Sequence, residues 1–260
     1  MIAPGAVVVA GLPRWAFAFM LVLARVGGVV MLLPGFAETE TLPMLRAGLA
    51  GGITLLLLPV VAPLLPQPPA DVGTVALMLA AELVTGIWLG WLARVLVLTL
   101  PMAGQLIAFL LGLASVLAPD TALGSQGTAL GRMFSLAAVL LVLASGLYAL
   151  PLAALAGSFR LIAPGALLPA GTGAATAVRA MAQGFALALR LAAPFVLGSI
   201  VWQLASGLMA RLVPRLQVYF LAMPAQILGG LLLLAALMGL LLGAWQDAVR
   251  AGFAQLPGLG

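Results

Sequence analysis

The stretch LQVYFLAMPAQILGGLLLLAALMGLLLGAWQ, residues 216–246, carries no charge. A helix needs about 20 predominantly apolar residues to cross the hydrocarbon core of a bilayer. This run exceeds that length, and three others, 47–70, 133–159 and 191–210, reach it. Across all 260 residues, 65% are apolar and 7% charged, with a mean hydropathy of +1.28. A soluble domain would carry about a quarter charged residues. The fold class is therefore an all-α membrane protein with several spans. A transmembrane barrel would show short alternating segments of about 10 residues instead.

Working outward from the quoted run, the punctuation of the chain gives about six long apolar helices and one broken or re-entrant segment. The first helix is expected over 12–33, stopped by Pro34-Gly35. A short polar link, 37–41, leads to a second helix over 43–64. The proline-rich stretch 63–71 forms a stiff turn, and a third helix covers 72–100. The broken segment follows, 101–131, bounded by Pro101 and Gly131. A fourth helix is expected over 132–158, and a Pro/Gly/Ala-rich link over 163–176. The last third reads as a hairpin of two helices, 177–212 and 219–248, with Pro194 and Pro224 placed to bend them. The first residues lack a positively charged start, so the first apolar helix rather than a cleavable signal is expected to direct insertion.

Charge narrows the function. The chain has no histidine and no cysteine, and all eleven basic residues are arginine. That removes disulfides, thiol chemistry, His-ligated metal and the commonest general base. No cofactor is expected. A rhomboid-type protease needs a Ser–His pair; an aspartyl intramembrane protease needs two aspartates on facing helices, whereas Asp71, Asp120 and Asp247 fall in links or at an end. A pI near 11.4 in a soluble protein would point to nucleic acid. Here the arginines are scattered at helix ends and form no basic stripe, so no nucleic acid is expected. With six spans, Arg46, Arg94, Arg132, Arg211 and Arg215 fall on one side and Arg14, Arg160, Arg179 and Arg250 on the other. That balance sets no orientation by the positive-inside rule.

Glu82 and Arg25 stand inside long helices. Glu82 is the sole acid so placed, and at mid-membrane it must face protein or water. It is either a proton or ion site or a buried structural bond to a neighbouring helix or subunit. The second is favoured, because a relay chains several such groups. Arg25 is either the partner of Glu82 or a side chain that snorkels to the interface. Gly86/Gly90, Gly127/Gly131 and Gly48 with Gly51 and Gly52 are small-residue pairs of the kind that bring helices together.

The broken segment is too short to span and too apolar for a loop. Irregular backbone at membrane depth persists only where protein buries it or where it lines a cavity. Its apolar half begins Phe109, Leu110, Leu111, Gly112, Leu113; its turn carries Pro119, Asp120, Gly124 and Gly127. From the residues alone it is equally a seal across a channel and a re-entrant packing element. The other irregular motif is the hairpin tip, with Arg211, Pro214, Arg215 and Gln217.

That tip resembles the FliR family of flagellar biosynthetic proteins, whose pattern there is P-Q-L-N-V-F-x-x-G-x-P. Here it reads Pro214-Arg215-Leu216-Gln217-Val218-Tyr219-Phe220, with Ala222 and Pro224 following. Residues 25–36, 42–59, 81–91 and 102–123 are similar to further family patterns in the same order. The resemblance implies a non-enzymatic export-gate subunit of the bacterial inner membrane and flagellar basal body, part of it above the bilayer plane. It implies FliP-like and FliQ-like partners with a FlhB-like protein nearby, and unfolded export substrates. By the same resemblance residues 1–176 are FliP-like and 177–260 a FliQ-like hairpin, and Phe109 to Leu113 belong to a plug. The injectisome counterpart, SctT, is the alternative branch. A small secondary transporter or a passive scaffold is the further alternative, but a transporter would need inverted repeats and polar groups within its helices.

Overall fold

The computed structural model describes residues 4–36, 42–113, 128–212 and 218–259. Every element among them is helical: α1 (Pro4–Val30), α2 (Pro43–Val61), α3 (Val72–Val97), α4 (Thr99–Leu110), α5 (Ala129–Ala144), α6 (Ala149–Leu161), α7 (Ala170–Leu212) and α8 (Val218–Ala254). A single 3-10 turn, Ala62–Leu64, follows α2. Among the described residues, five helical stretches are long and apolar enough to cross a membrane, or up to six if α5 and α6 count as one broken span. The chain is an all-α membrane protein.

α1 begins at Pro4 rather than near residue 12, and three further differences from the sequence expectations each have a local reason. The expected helix 72–100 stops at Val97, and the segment expected to be broken from residue 101 opens as α4. Pro101 lacks an N–H and its ring would strike the carbonyl four residues back, that of Val97, so α3 must end there. Leu98 turns the chain and α4 restarts with Pro101 in its first turn, where a missing N–H is harmless. The expected helix 132–158 is likewise two helices, broken at 145–148. Gly146 adopts φ +71°, and Pro151 sits in the first turn of α6 as Pro101 does in α4. Third, α7 begins at Ala170, inside the stretch expected to be a link. Its weak Gly/Ala/Thr opening is tied down: Thr176 Oγ1 donates back to the Thr172 carbonyl at 2.8 Å, and Trp88 Nε1 of α3 donates to the Gly173 carbonyl at 3.2 Å. Pro13, Pro194 and Pro224 lie within α1, α7 and α8, which continue through them.

Two compact units result. One comprises residues 1–96, 142–180 and 251–260; the other comprises 97–141 and 181–250. In the first, Leu21, Val22, Val26, Leu92, Leu155, Phe159 and Phe253 are buried. Its C-terminal residues lie against α6, where the Gly258 carbonyl occupies the space a Cβ at Gly157 would need. In the second, Leu100, Ile107, Phe134, Phe195 and Trp245 are buried, and Trp245 Nε1 donates to Thr99 Oγ1 at 3.0 Å.

Candidate functional site

The polar centre of the first unit is built where α1 and α3 touch. Gly28 of α1 lies against the backbone of α3, so that a Cβ there would stand 2.8 Å from Ile87 N and 2.9 Å from Leu83 O. Gly86 of α3 lies against the Arg25 carbonyl, which a Cβ would overlap, and at Gly90 a Cβ would come within 2.9 Å of Val29 O. Small residues on both helices thus allow backbone-to-backbone contact. Gly48, Gly51 and Gly52 of α2 meet nothing within 4 Å in the chain, and Gly131 lies against Gln105 and Thr128.

This approach carries Arg25 onto Glu82, one turn before Gly86. Arg25 Nε donates to Glu82 Oε2 at 2.6 Å and Nη2 to Oε1 at 2.9 Å, the bidentate geometry that suits a planar guanidinium to a carboxylate. Both side chains are fully buried. Nη1 reaches Ser158 Oγ at 3.2 Å, and Nη2 also reaches the Ile162 carbonyl at 3.2 Å. The Phe159 ring covers the guanidinium, with Cζ 4.2 Å from its centroid. Gly165 N–H donates to Glu82 Oε1 at 2.6 Å from a turn in which Gly165 has φ +83°. Among the described residues, no buried side-chain nitrogen or oxygen lacks a partner. One ion pair therefore ties α1, α3, the end of α6 and the turn after it. The pattern matches a structural clamp, since every side-chain nitrogen and oxygen of the pair has a partner and, among the described residues, no second acid adjoins Glu82 to pass a proton.

Sequence reasoning singled out Arg25 and Glu82 but missed Ser158, Phe159, the Ile162 carbonyl and the Gly165 N–H. Only Pro164-Gly165 gave a signal, as a turn. The remaining contacts come from backbone groups and a common hydroxyl that no motif marks.

The five residues at the start of the apolar segment close α4. Leu111 N–H donates to the Ile107 carbonyl at 2.9 Å, Gly112 N–H to Phe109 at 3.1 Å and Leu113 N–H to Ala108 at 2.9 Å. With Gly112 at φ +75°, this is a Schellman ending, in which glycine takes the left-handed position. Leu111 is 4% exposed and Phe109 73% exposed, so the end of α4 presents one face inward and one outward. Pro119, Asp120, Gly124 and Gly127 of the turn lie outside the described residues. So do Pro214, Arg215 and Gln217 of the hairpin tip; Arg211, at the end of α7, is exposed.

Fold and centre together define a polytopic, all-helical membrane protein in which a buried ion pair fastens α1, α3 and the end of α6. The chain belongs to the bacterial export proteins, family 1, which matches residues 16–252. It is similar to the flagellar biosynthetic protein FliR of Caulobacter vibrioides, 31% identical over 230 residues that cover 88% of this chain and 92% of that protein. The FliR proteins of Bacillus subtilis and Escherichia coli are 26% and 28% identical over 231 and 230 residues, covering 86% and 87% of this chain and 87% and 86% of theirs.

Proposed function

We propose that this chain is a non-enzymatic subunit of the flagellar type III export gate in the bacterial inner membrane, within the flagellar basal body. It forms, with FliP-like and FliQ-like subunits and a FlhB-like protein nearby, a channel for unfolded flagellar proteins. Residues 1–176 take the FliP-like part and 177–260 the FliQ-like hairpin. The segment 101–131, beginning at the end of α4, helps to close the channel.

The observation that carries this reading is the apolar surface of α7. Large apolar side chains stand exposed along it from Val178 to Leu212. At 1.5 Å per residue the 43 residues of α7 extend about 65 Å, roughly twice a hydrocarbon core of about 30 Å. Even steeply tilted, such a helix keeps apolar surface outside the lipid, where only protein can cover it. In α8 only 11% of the most apolar stretch is buried within the chain. Partner subunits supply the missing cover, and an apparatus partly above the bilayer plane accommodates the length. The flagellar branch is favoured over SctT because the named relatives are flagellar.

Co-purification tests the proposal. Tagged at its C-terminus and expressed from its native locus, the chain brings down FliP-like and FliQ-like subunits in a defined complex, and its loss abolishes motility. Isolation as a stable homo-oligomer that transports a small solute without those partners would overturn the gate in favour of a secondary transporter.

A further inference from the structure

One face of α8 holds the end of α4 at two points. A helix end leaves four carbonyls without intrahelical partners. In α4 the Schellman bonds occupy those of Ile107, Ala108 and Phe109, leaving Leu110. Gln226 of α8 supplies the fourth bond, its Nε2 donating to the Leu110 carbonyl at 3.0 Å. One turn further along the same face of α8, Gly230 receives the neighbouring side chain. A Cβ at Gly230 would overlap Leu111 Cγ and stand 2.9 Å from its Cδ2. A polar contact and an apolar one thus fasten consecutive residues.

Beside this fastening lies a cavity of about 120 Å³, lined by Phe195, Gly198, Ser199 and Trp202 of α7 and by Gly229 and Leu233 of α8. It is a half-open cleft, so on that side the end of α4 lacks dispersion contacts within the chain and has space beside it. The bonds that close α4 are internal to it, so they survive a shift. Such a shift must break the Gln226 bond and the Leu111 notch.

We infer that Gln226 and Gly230 are positioning residues for the channel-closing segment: they latch the end of α4 in the closed state, and export requires the latch to open. The inference rests on the closing role proposed above. The segment is aimed from α8, and the hairpin that carries α8 controls whether it stays in place.

The chain has no cysteine, so a Leu111→Cys, Gly230→Cys double variant gives a background-free crosslink in the assembled complex. The atom that a Cβ at 230 would meet is one bond from the Cβ of residue 111. The two Cβ atoms therefore lie within about 4 Å of each other, close enough for a disulfide to bridge. Oxidation is expected to crosslink the double variant and stop its secretion of flagellar export substrates, and reduction to restore the rate it had before oxidation, while oxidant leaves each single variant at its own reduced rate. A crosslinked complex that secretes at the reduced rate overturns the latch, and so does failure of the crosslink to form. Independently, Gln226→Met keeps the side-chain length and removes the donor; it is expected to leave co-purification intact and raise ion leak through the membrane several-fold. Deletion of residues 110–116 separates the two layers of argument. A tight membrane after that deletion defeats the closing role itself. A leaky deletion beside a tight Gln226→Met complex defeats only the latch.

Discussion

Arg25 Nε lies 2.6 Å from Glu82 Oε2, and neither side chain has any exposed surface, although 57 residues separate them in the chain. Burial makes the pair expensive to break and cheap to replace. Two charges removed from water are tolerable together, and one left alone is not.

Arg25→Leu is accordingly expected to destabilise the chain by about 3–5 kcal/mol, because Glu82 is left buried and unpaired. The double variant Arg25→Leu, Glu82→Leu recovers most of that loss. Thermal unfolding of the purified protein in detergent reads both, and equal losses in the single and double variants would contradict the pairing argument. Glu82→Gln keeps the hydrogen-bond acceptor but leaves Arg25 buried without a counter-charge, so any loss of motility is expected to go with lost stability and assembly. Complete loss of motility with normal assembly would instead indicate proton coupling.

Gly27 and Gly28 are neighbours in α1 with opposite surroundings. A Cβ at Gly27 meets nothing within 4 Å, whereas one at Gly28 would press on the α3 backbone at 2.8 Å. Gly27→Ala is expected to be neutral or to stabilise by up to about 1 kcal/mol through helix propensity. Gly28→Ala should destabilise by about 1–3 kcal/mol, as overpacking does. The order of the two melting temperatures decides, and reversal would place α1 in the wrong rotation.

Asp71 caps α3 outside the spanning stretches. Its Oδ2 accepts from Thr74 N–H at 2.8 Å and from Thr74 Oγ1 at 2.9 Å. The Thr74 backbone bond first, then its hydroxyl, hold the Asp71 carboxyl below its ordinary value. A folded-state value below the unfolded one, which is about 3.9, contributes stability above that pH and loses it as pH falls through the folded value. The melting-temperature gap between the native chain and Asp71→Ala should therefore be open at neutral pH and narrow below about pH 4. A gap independent of pH would remove the charge from the cap.

Deleting residues 110–116 is expected to leave assembly intact and make membranes leaky to small ions. Conductance across membranes containing the assembled complex measures this, and an unchanged value counts against a closing role.

Much of the helical plan was legible because its signals are local. Charge-free runs give the spans, Pro34-Gly35 ends α1 within a few residues, and the proline-rich 63–71 separates α2 from α3. Pro101 and Pro151 were equally visible, yet the breaks fall at their N-terminal side, near Val97, where nothing in the sequence is unusual, and at 145–148, where Gly146 is one of 31 glycines. A proline acts on the carbonyl four residues before it, so the boundary is displaced from its cause. The opening of α7 was hidden for the opposite reason. Its Gly/Ala/Thr composition argues for a link, and the contact from Trp88, distant in sequence, overrides it.

By itself, then, the sequence determined the class: an apolar, cysteine-free, histidine-free chain of helices, with Arg25 and Glu82 among the ionisable side chains that had to be accounted for. Tertiary structure decided what accounts for them. Arg25 meets Glu82 because Gly28, Gly86 and Gly90 let two helices touch, and Leu110 meets Gln226 because one helix ends beside another. Hydropathy is a property of each residue and survives any folding. A hydrogen bond between residues 57 or 116 apart depends on direction and distance to within a few tenths of an ångström, and only the packed chain fixes those.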